Sequence, residues 1–409
     1  MKRESLSRLT WCLYDFANSP FPTLIVTAFY PLFFKQVVAL GRSDGDLLWG
    51  AALSSSMAVV FLLAPLAGAL ADLTGQRKRF LMMLTWTCVA ATAGLVLTHQ
   101  GTIALAMGLI VLANIGLEGA IPFYNAYLPD LAKPGRMSRL SGDAWALGYL
   151  SFPVCLALAY PLAKGGFGPE NLSRASLVPL VVALWFLVFS IPTFLFLPTI
   201  TKIRTDISIA GLLKETFRRI GSTIRKARSL PALSRFIPAY FFFTNAVSAV
   251  IAFTSIYASD TLGFSLKENL ALMLVMNLVA APGAFALGRL GDRWGIRRVL
   301  FLCLGVWLVV CGAGALATTK AIFWAVAFLA SLVLGATQAL SRALLGKLAP
   351  KGQEGEMYGF MTLAGKGSSI LGPITFGAVS TVSGSQRISV AVVGIFFLLG
   401  FALLRRVPE

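Results

Sequence analysis

The chain has 409 residues, 57% of them hydrophobic and only 13% charged, with a formal net charge of +18 and a mean hydropathy of +0.79. That balance lies outside the range of water-soluble domains and marks an integral membrane protein. It argues against an enzyme, since no nucleophile and base stand together at a working spacing, and the positive charge requires no nucleic acid once membrane topology is considered.

Twelve apolar stretches, each long enough to cross about 30 Å of hydrocarbon as a helix, are expected at 10–38, 47–71, 80–98, 102–128, 141–162, 175–197, 236–259, 268–290, 298–318, 321–345, 357–380 and 387–405. The opening MKRESLSR is basic, but the segment after it is too long and interrupted for a cleaved leader, so it reads as an uncleaved first span. Within that span Tyr14, Asp15 and Asn18 follow helical spacing, ahead of Pro20 and Pro22, which remove backbone donors and kink or break the helix. Broken helices border binding sites in transporters. Asp15 reads as a gate ion pair or cap in preference to a coupling acid.

Span two closes on GALADLTGQRKR, Gly68 to Arg79, an aspartate and a glycine followed by three cations. Span four carries Asn114, Glu118 and Asn125 at offsets of four and seven, one polar stripe on a helix. Ionisable groups inside a bilayer are costly and therefore functional candidates. Near mid-depth, Glu118 without a partner would hold a proton at neutral pH, so it is the candidate site of proton or cation coupling; the alternative is a fixed ion pair or a neutral acid bridging two helices. Tyr124 and Tyr127 read as cavity walls or interfacial anchors, and Asp143 in span five is a second acid. The external triplet Asn171-Leu172-Ser173 has the form of a glycosylation site but arises often by chance.

Residues 201–234 form a basic linker without the interleaved aromatics that stack nucleic-acid bases. The chain then repeats itself. GRLGDRWGIRRV, Gly288 to Val299, restates the charged sentence 220 residues after the first, and the same offset maps Glu118 onto Gln338. A duplicated six-helix unit follows, with an N-terminal bundle at 1–200 and a C-terminal bundle at 235–409. Asn245 and Asn277 supply hydrogen-bonding groups or interhelical contacts. Ser331, Gly335, Gln338 and Arg342 share a face of span ten. In span eleven Lys366, flanked by Gly365 and Gly367, is the one base so deep; it would bind a substrate carboxylate or phosphate, or pair with Glu118 or Asp143.

With both termini on the cytoplasmic side, the cytoplasmic segments hold 27 of the 35 lysines and arginines, which predicts that orientation, affinity for anionic lipid and a bacterial inner membrane. Five cysteines in no ligand-like spacing and the single His99 argue against disulfides and a metal site. No phosphate-binding glycine loop suggests ATP. No cofactor is expected beyond a proton or sodium gradient.

Gly68, Asp72, Gly75, Arg77 and Lys78, and again Gly288, Asp292, Gly295, Arg297 and Arg298, resemble the cytoplasmic loop motif of the major facilitator superfamily. In that family the glycine permits close helix packing, and the aspartate pairs with loop arginines and faces the N-terminus of a helix in the opposite half. The resemblance implies a latch that shuts the cytoplasmic side, which Arg342 would join. WCLYDFANSPF, FYNAYLPDLA, WALGYL, QALSRALLGKLAP and GKGSSILGP resemble the family called Unknown Major Facilitator, related to autophagy-linked vacuolar amino acid effluxers. That kinship implies a secondary transporter of a small-molecule substrate; with the spans and the repeat it predicts an all-α protein of twelve transmembrane helices in two pseudo-symmetric six-helix bundles, expected to be a monomer and to work by alternating access. The candidate substrate-binding residues, read from their polarity within the spans, are Tyr14, Asn18, Asn114, Glu118, Tyr124, Asn125, Asn245, Gln338 and Lys366, and the Glu118 and Lys366 pair suits an amino acid or peptide-like zwitterion. An anionic amphiphile such as a lysophospholipid is the alternative substrate, and a non-transporting receptor or scaffold the alternative class.

Overall fold

The computed structural model describes residues 2–40, 42, 44–199, 218 and 231–407. Twelve long helices dominate these residues: α1 Lys2–Asn18, α2 Gly45–Thr74, α3 Arg77–Gly94, α4 Ile103–Asn125, α5 Met137–Ala163, α6 Val178–Phe196, α7 Pro231–Leu262, α8 Leu266–Trp294, α9 Ile296–Leu316, α10 Lys320–Leu348, α11 Glu354–Ser383 and α12 Gln386–Leu404. Most of the linker expected at 201–234 lies outside the described residues; α7 begins inside its last four.

Eleven of the described helices are apolar and long enough to cross a bilayer by length and composition, the first counted as one span from Glu4 to Val38. Helix α11 is the twelfth member. At 30 residues it is about 45 Å long, but its first turn is acidic and Lys366 interrupts it. The exposed surface is lined with large apolar side chains such as Leu47, Leu195 and Val382. Such a surface fits hydrocarbon and would aggregate in water.

The first span is irregular for a local reason. After α1 ends at Asn18 the chain runs through π-helical turns at Phe21–Ala28 and Phe34–Val38 on either side of a short α-helical turn. Pro20 and Pro22 supply no N–H, so regular i→i−4 bonding cannot continue through them. Wider i→i−5 bonds take over, as in Phe29 N–H to the Leu24 carbonyl at 3.0 Å and Ala39 N–H to Phe34 at 2.7 Å.

Helices α1–α6 and α7–α12 form the two halves. Aromatic stacking fills each: Trp11 lies on Tyr124 in the first and Trp307 on Phe397 in the second, with centroids 4.6 and 5.0 Å apart. The halves meet along two seams, α2 against α11 and α5 against α8, with α10 also packed on α5. Both seams are close because they are built on glycine. A Cβ at Gly68 would stand 2.3 Å from the Gly355 carbonyl oxygen, and one at Gly288 would stand 2.8 Å from that of Ser138 and 3.0 Å from the Gly142 Cα. No side chain fits there.

Candidate functional site

The basic loops gather at one end of the molecule, hereafter the basic face, with the start of α1 and the end of α12. Arg8 donates to the Leu131 carbonyl, Lys78 to Leu197 and Arg235 to Arg406. Moving inward from that face, three layers of polar contacts join the halves.

The outermost layer contains both copies of the charged motif. Asp72, at the end of α2, accepts the Gly355 and Glu356 N–H groups at 3.2 and 2.9 Å. These are the second and third residues of α11, where unpaired N–H groups and the positive end of the helix dipole point. Asp292, at the end of α8, accepts the Ser138 and Arg139 N–H groups at 3.0 and 3.1 Å, again the second and third residues of a helix, here α5. The symmetry extends to the seam glycines, since Ser138 and Gly355, like Gly142 and Gly359, are 217 positions apart.

The copies differ in their cations. Arg77 is buried and makes ion pairs with Asp72 at 2.7 Å, Asp130 at 3.2 Å and, across the seam, Glu354 at 2.5 Å. Its counterpart Arg297 donates to the Val407 carbonyl. Gly75 and Gly295 turn the chain between helices at φ of 70° and 98°, which side-chain-bearing residues avoid. Asp143 pairs with Arg289 of α8 at 2.5 Å, fastening the α5/α8 seam.

The second layer is a single buried arginine. Arg342 of α10 donates from Nε to Ser141 Oγ and from Nη2 to the Ser141 carbonyl, both at 2.9 Å. Its Nη1 reaches Asp15 Oδ2 at 3.0 Å and Asn125 Oδ1 at 3.3 Å. The rings of Trp11, Tyr124 and Trp145 stand 4.8, 5.5 and 5.6 Å from its guanidinium carbon. Arg342 is 4% exposed and Asp15 7%. A buried charge is tolerable only with its hydrogen bonds and a countercharge in place, and here both are.

The third layer is the pair Glu118 and Lys366. The Lys366 ammonium lies 2.5 Å from Glu118 Oε1, joining α4 to α11, and the two side chains are 18% and 20% exposed. Lys366 is twelve residues into α11, about 18 Å from its start. Its flanking glycines admit aromatic neighbours: a Cβ on Gly365 would meet the Tyr240 hydroxyl at 3.2 Å, and one on Gly367 would touch Phe241 and Phe61.

The expected polar stripe of α4 is therefore divided among three partners. Asn114 is buried and donates to Ser56 Oγ at 2.6 Å within the same half, Glu118 meets Lys366 and Asn125 meets Arg342. Tyr14 is fully buried with its hydroxyl 2.6 Å from Thr85 Oγ1, and Tyr124 is buried with its hydroxyl on the Trp11 carbonyl. Both lie in the packed interior of the first half, not on a cavity wall. Asn18 donates to the Tyr14 carbonyl. Asn245 is 0% exposed, with neither side-chain polar atom bonded, and the Gly372 Cα lies where a Cβ would be 2.2 Å from the Asn245 carbonyl. Gln338 remains partly exposed. Sequence reasoning missed Ser141, Arg289 and Glu354; Glu354 alone carried a signal, as an acid in the first turn of a helix whose N-terminus faces Asp72.

The family described as vacuole effluxer Atg22 like matches residues 47–409. The uncharacterized MFS-type transporter YxiO of Bacillus subtilis (strain 168) is 30% identical over 416 residues, covering 100% of this chain and 96% of YxiO. Autophagy-related protein 22-1 of Penicillium rubens is 24% identical over 61% of this chain, a match that spans 45% of the fungal protein. Among solved structures, the human organic anion transporter MFSD10 superposes with a TM-score of 0.74 at 17% identity, covering 98% of this chain and 99% of that one. The E. coli fucose:proton symporter FucP does so at 0.76 and 15% identity, covering 100% and 99%. At those identities the likeness speaks for the fold.

Proposed function

The chain belongs to the Atg22-like vacuole effluxer family and is a multi-pass transporter of the major facilitator superfamily, and from that premise we propose that it moves a small zwitterionic solute, an amino acid or peptide-like molecule, by alternating access. The basic face is cytoplasmic in this reading, as the distribution of lysine and arginine suggests. A proton or sodium gradient drives the cycle.

The observation that carries the proposal is the Glu118/Lys366 pair, contributed by opposite halves and still partly exposed. Parting two charges inside a membrane protein is costly unless each acquires a new partner. A zwitterion offers both at once, its carboxylate to Lys366 and its ammonium to Glu118. Protonation of Glu118 achieves the same release on one side, since a neutral acid no longer holds the ammonium. In this reading the three layers are the cytoplasmic gate, and opening the basic face requires the Asp15/Arg342 pair and the two aspartate contacts to part.

A second reading has its own support. Phe61 and Phe241 flank Gly367 beside Lys366, and Phe61 is 37% exposed, a setting suited to an anionic head with an apolar tail. A thermal-shift screen of purified protein against amino acids, dipeptides, sugars and lysophospholipids separates the two. Stabilisation by amino acids or dipeptides that is lost in Lys366→Ala and kept in Asn277→Ala supports the zwitterion reading; stabilisation by lysophospholipids alone replaces it.

A further inference from the structure

The internal repeat carries the Glu118/Lys366 pair onto two residues that have no role in the reading above. Gln338 follows Glu118 by 220 positions, the offset of the charged motif, and Lys366 follows Tyr149 by 217, the offset that relates Ser138 to Gly355 and Gly142 to Gly359. The ionic pair joins α4 to α11; its counterparts stand on α10 and α5, which also pack together across the halves. Where one side of the molecule has an acid and an amine, the other has a carboxamide and a phenol.

The register of α5 against α10 brings a third polar group to the same place. The two helices run in opposite directions, and Ser141 of α5 meets Arg342 of α10. One turn inward on α5, the Trp145 ring stands 5.6 Å from the Arg342 guanidinium carbon. One turn further, Tyr149 packs on Gly335 of α10, where a Cβ would stand 2.6 Å from the tyrosine Cε2. Gln338 lies between Gly335 and Arg342 on that face of α10, level with the gap between Trp145 and Tyr149, whose ring centroids are 5.8 Å apart. Depth agrees with symmetry. Asn125 touches Arg342, and Glu118 on α4 and Gly335 on α10 each lie two turns, about 10 Å, farther from the basic face along their helices.

No protein group engages these three side chains by hydrogen bonding. Among the described residues the Trp145 indole N–H is buried without a partner, and neither the Tyr149 hydroxyl nor the Gln338 amide is hydrogen-bonded, while all three residues are partly exposed. Polar groups in a protein interior normally find partners, so three without one, contributed by both halves and placed opposite the ionic pair, point to a ligand. The set is chemically selective. An indole N–H only donates, a phenol donates or accepts, and a carboxamide does both in one plane. An amide of the solute fits it, exchanging two parallel hydrogen bonds with Gln338 and accepting another at its carbonyl oxygen from Trp145 or Tyr149. A hydrocarbon group in the same place would leave them unpaired.

We propose that Trp145, Tyr149 and Gln338 form a neutral subsite that holds an uncharged amide of the solute, while Glu118 and Lys366 hold its charged groups. This rests on the reading of that ion pair given above and narrows the solute to amide-bearing zwitterions, for which L-glutamine is the probe.

The test is isothermal titration of the full-length protein, purified in neutral detergent, with three compounds: L-glutamine; L-norleucine, which has hydrocarbon where glutamine has its amide; and N-acetyl-L-glutamine methylamide, which keeps the side-chain amide and lacks both charges. The wild type is expected to bind glutamine about tenfold more tightly than norleucine, the worth of one hydrogen bond. Gln338→Met, Tyr149→Phe and Trp145→Phe delete polar atoms and keep most of the bulk. Each should weaken glutamine several-fold and leave norleucine unchanged. The melting temperature of the ligand-free protein should stay the same or rise, because no protein hydrogen bond is lost. A merely structural role would lower the melting temperature and both affinities together, and that result overturns the proposal. So do equal affinities for glutamine and norleucine in the wild type, absence of glutamine binding, or an unchanged ratio in all three variants. Should Trp145→Phe fail to fold, Tyr149→Phe decides, since it removes a single oxygen atom. Failure of the ion-pair reading has a different signature: the uncharged amide binds the wild type as tightly as glutamine, Lys366→Ala keeps glutamine affinity, and the three variants still weaken both amides, so that the neutral subsite stands by itself.

Discussion

Asp72 and Asp292 make the same contact from opposite halves, each carboxylate accepting the N–H groups of the second and third residues of a helix across the seam. Two such contacts, related by the internal repeat, join the halves at the basic face. Their surroundings differ. Asp72 also pairs with the Arg77 guanidinium, which reaches on to Glu354 across the seam, while Asp292 also accepts the neutral Ser138 hydroxyl at 2.6 Å.

Asp72→Ala is therefore expected to open the basic face more than Asp292→Ala. Charged hydrogen bonds are worth ~1.5–3 kcal/mol each, so the first variant should shift the closed-to-open ratio by tenfold or more. Spin labels on cysteines replacing the exposed Arg136 and Lys351 read this as a longer distance across the face. Equal distance distributions in the two variants would contradict the asymmetry.

Arg342 gives a second expectation. Removing it by Arg342→Gln leaves Asp15 buried without its countercharge, at a cost of about 3–5 kcal/mol. Asp15→Asn/Arg342→Gln should recover part of that loss, and the apparent Tm of the double variant in detergent should exceed that of Arg342→Gln. Arg342→Lys should not rescue, because an ammonium cannot reach Ser141, Asp15 and Asn125 together in the planar geometry seen here.

The seam glycines make a steric prediction. Gly68→Ala places a methyl group against the Gly355 carbonyl and should lower Tm markedly, while Gly108→Ala, with nothing within 4 Å of the new Cβ, should leave Tm unchanged or raise it, since alanine is favoured over glycine in a helix by up to ~1 kcal/mol. Similar losses in both would mean that the seam tolerates the added volume.

Much of this architecture was legible in the sequence because the duplication is written in charges. The 220-residue offset between Asp72 and Asp292 survives as a geometric relation, and Lys366, identified by its depth, does meet Glu118. Pro20 and Pro22 marked the irregular first span because a missing N–H is a local fact. Partner choice was less legible. Asn114, Glu118 and Asn125 share a helical stripe, yet each finds a different helix, because the neighbours of a face are set by how the bundles cross and not by the spacing along it. Tyr14 and Tyr124 looked like cavity residues for the same reason; their hydroxyl groups are satisfied inside the bundle, which sequence alone does not reveal. Ser141 carried no signal at all, since a serine that orients an arginine through its carbonyl and hydroxyl looks like any other small residue on a helix.

The most direct test of the central claim is concentrative uptake into proteoliposomes of a solute that stabilises the purified protein, across an imposed gradient of one pH unit. One proton per cycle across that gradient, at 1.36 kcal/mol per unit, sustains accumulation of about tenfold. The wild type is predicted to approach that ratio, and Glu118→Gln to equilibrate the solute without concentrating it. Accumulation by Glu118→Gln with undiminished dependence on the gradient would contradict the assignment of Glu118 as the coupling group.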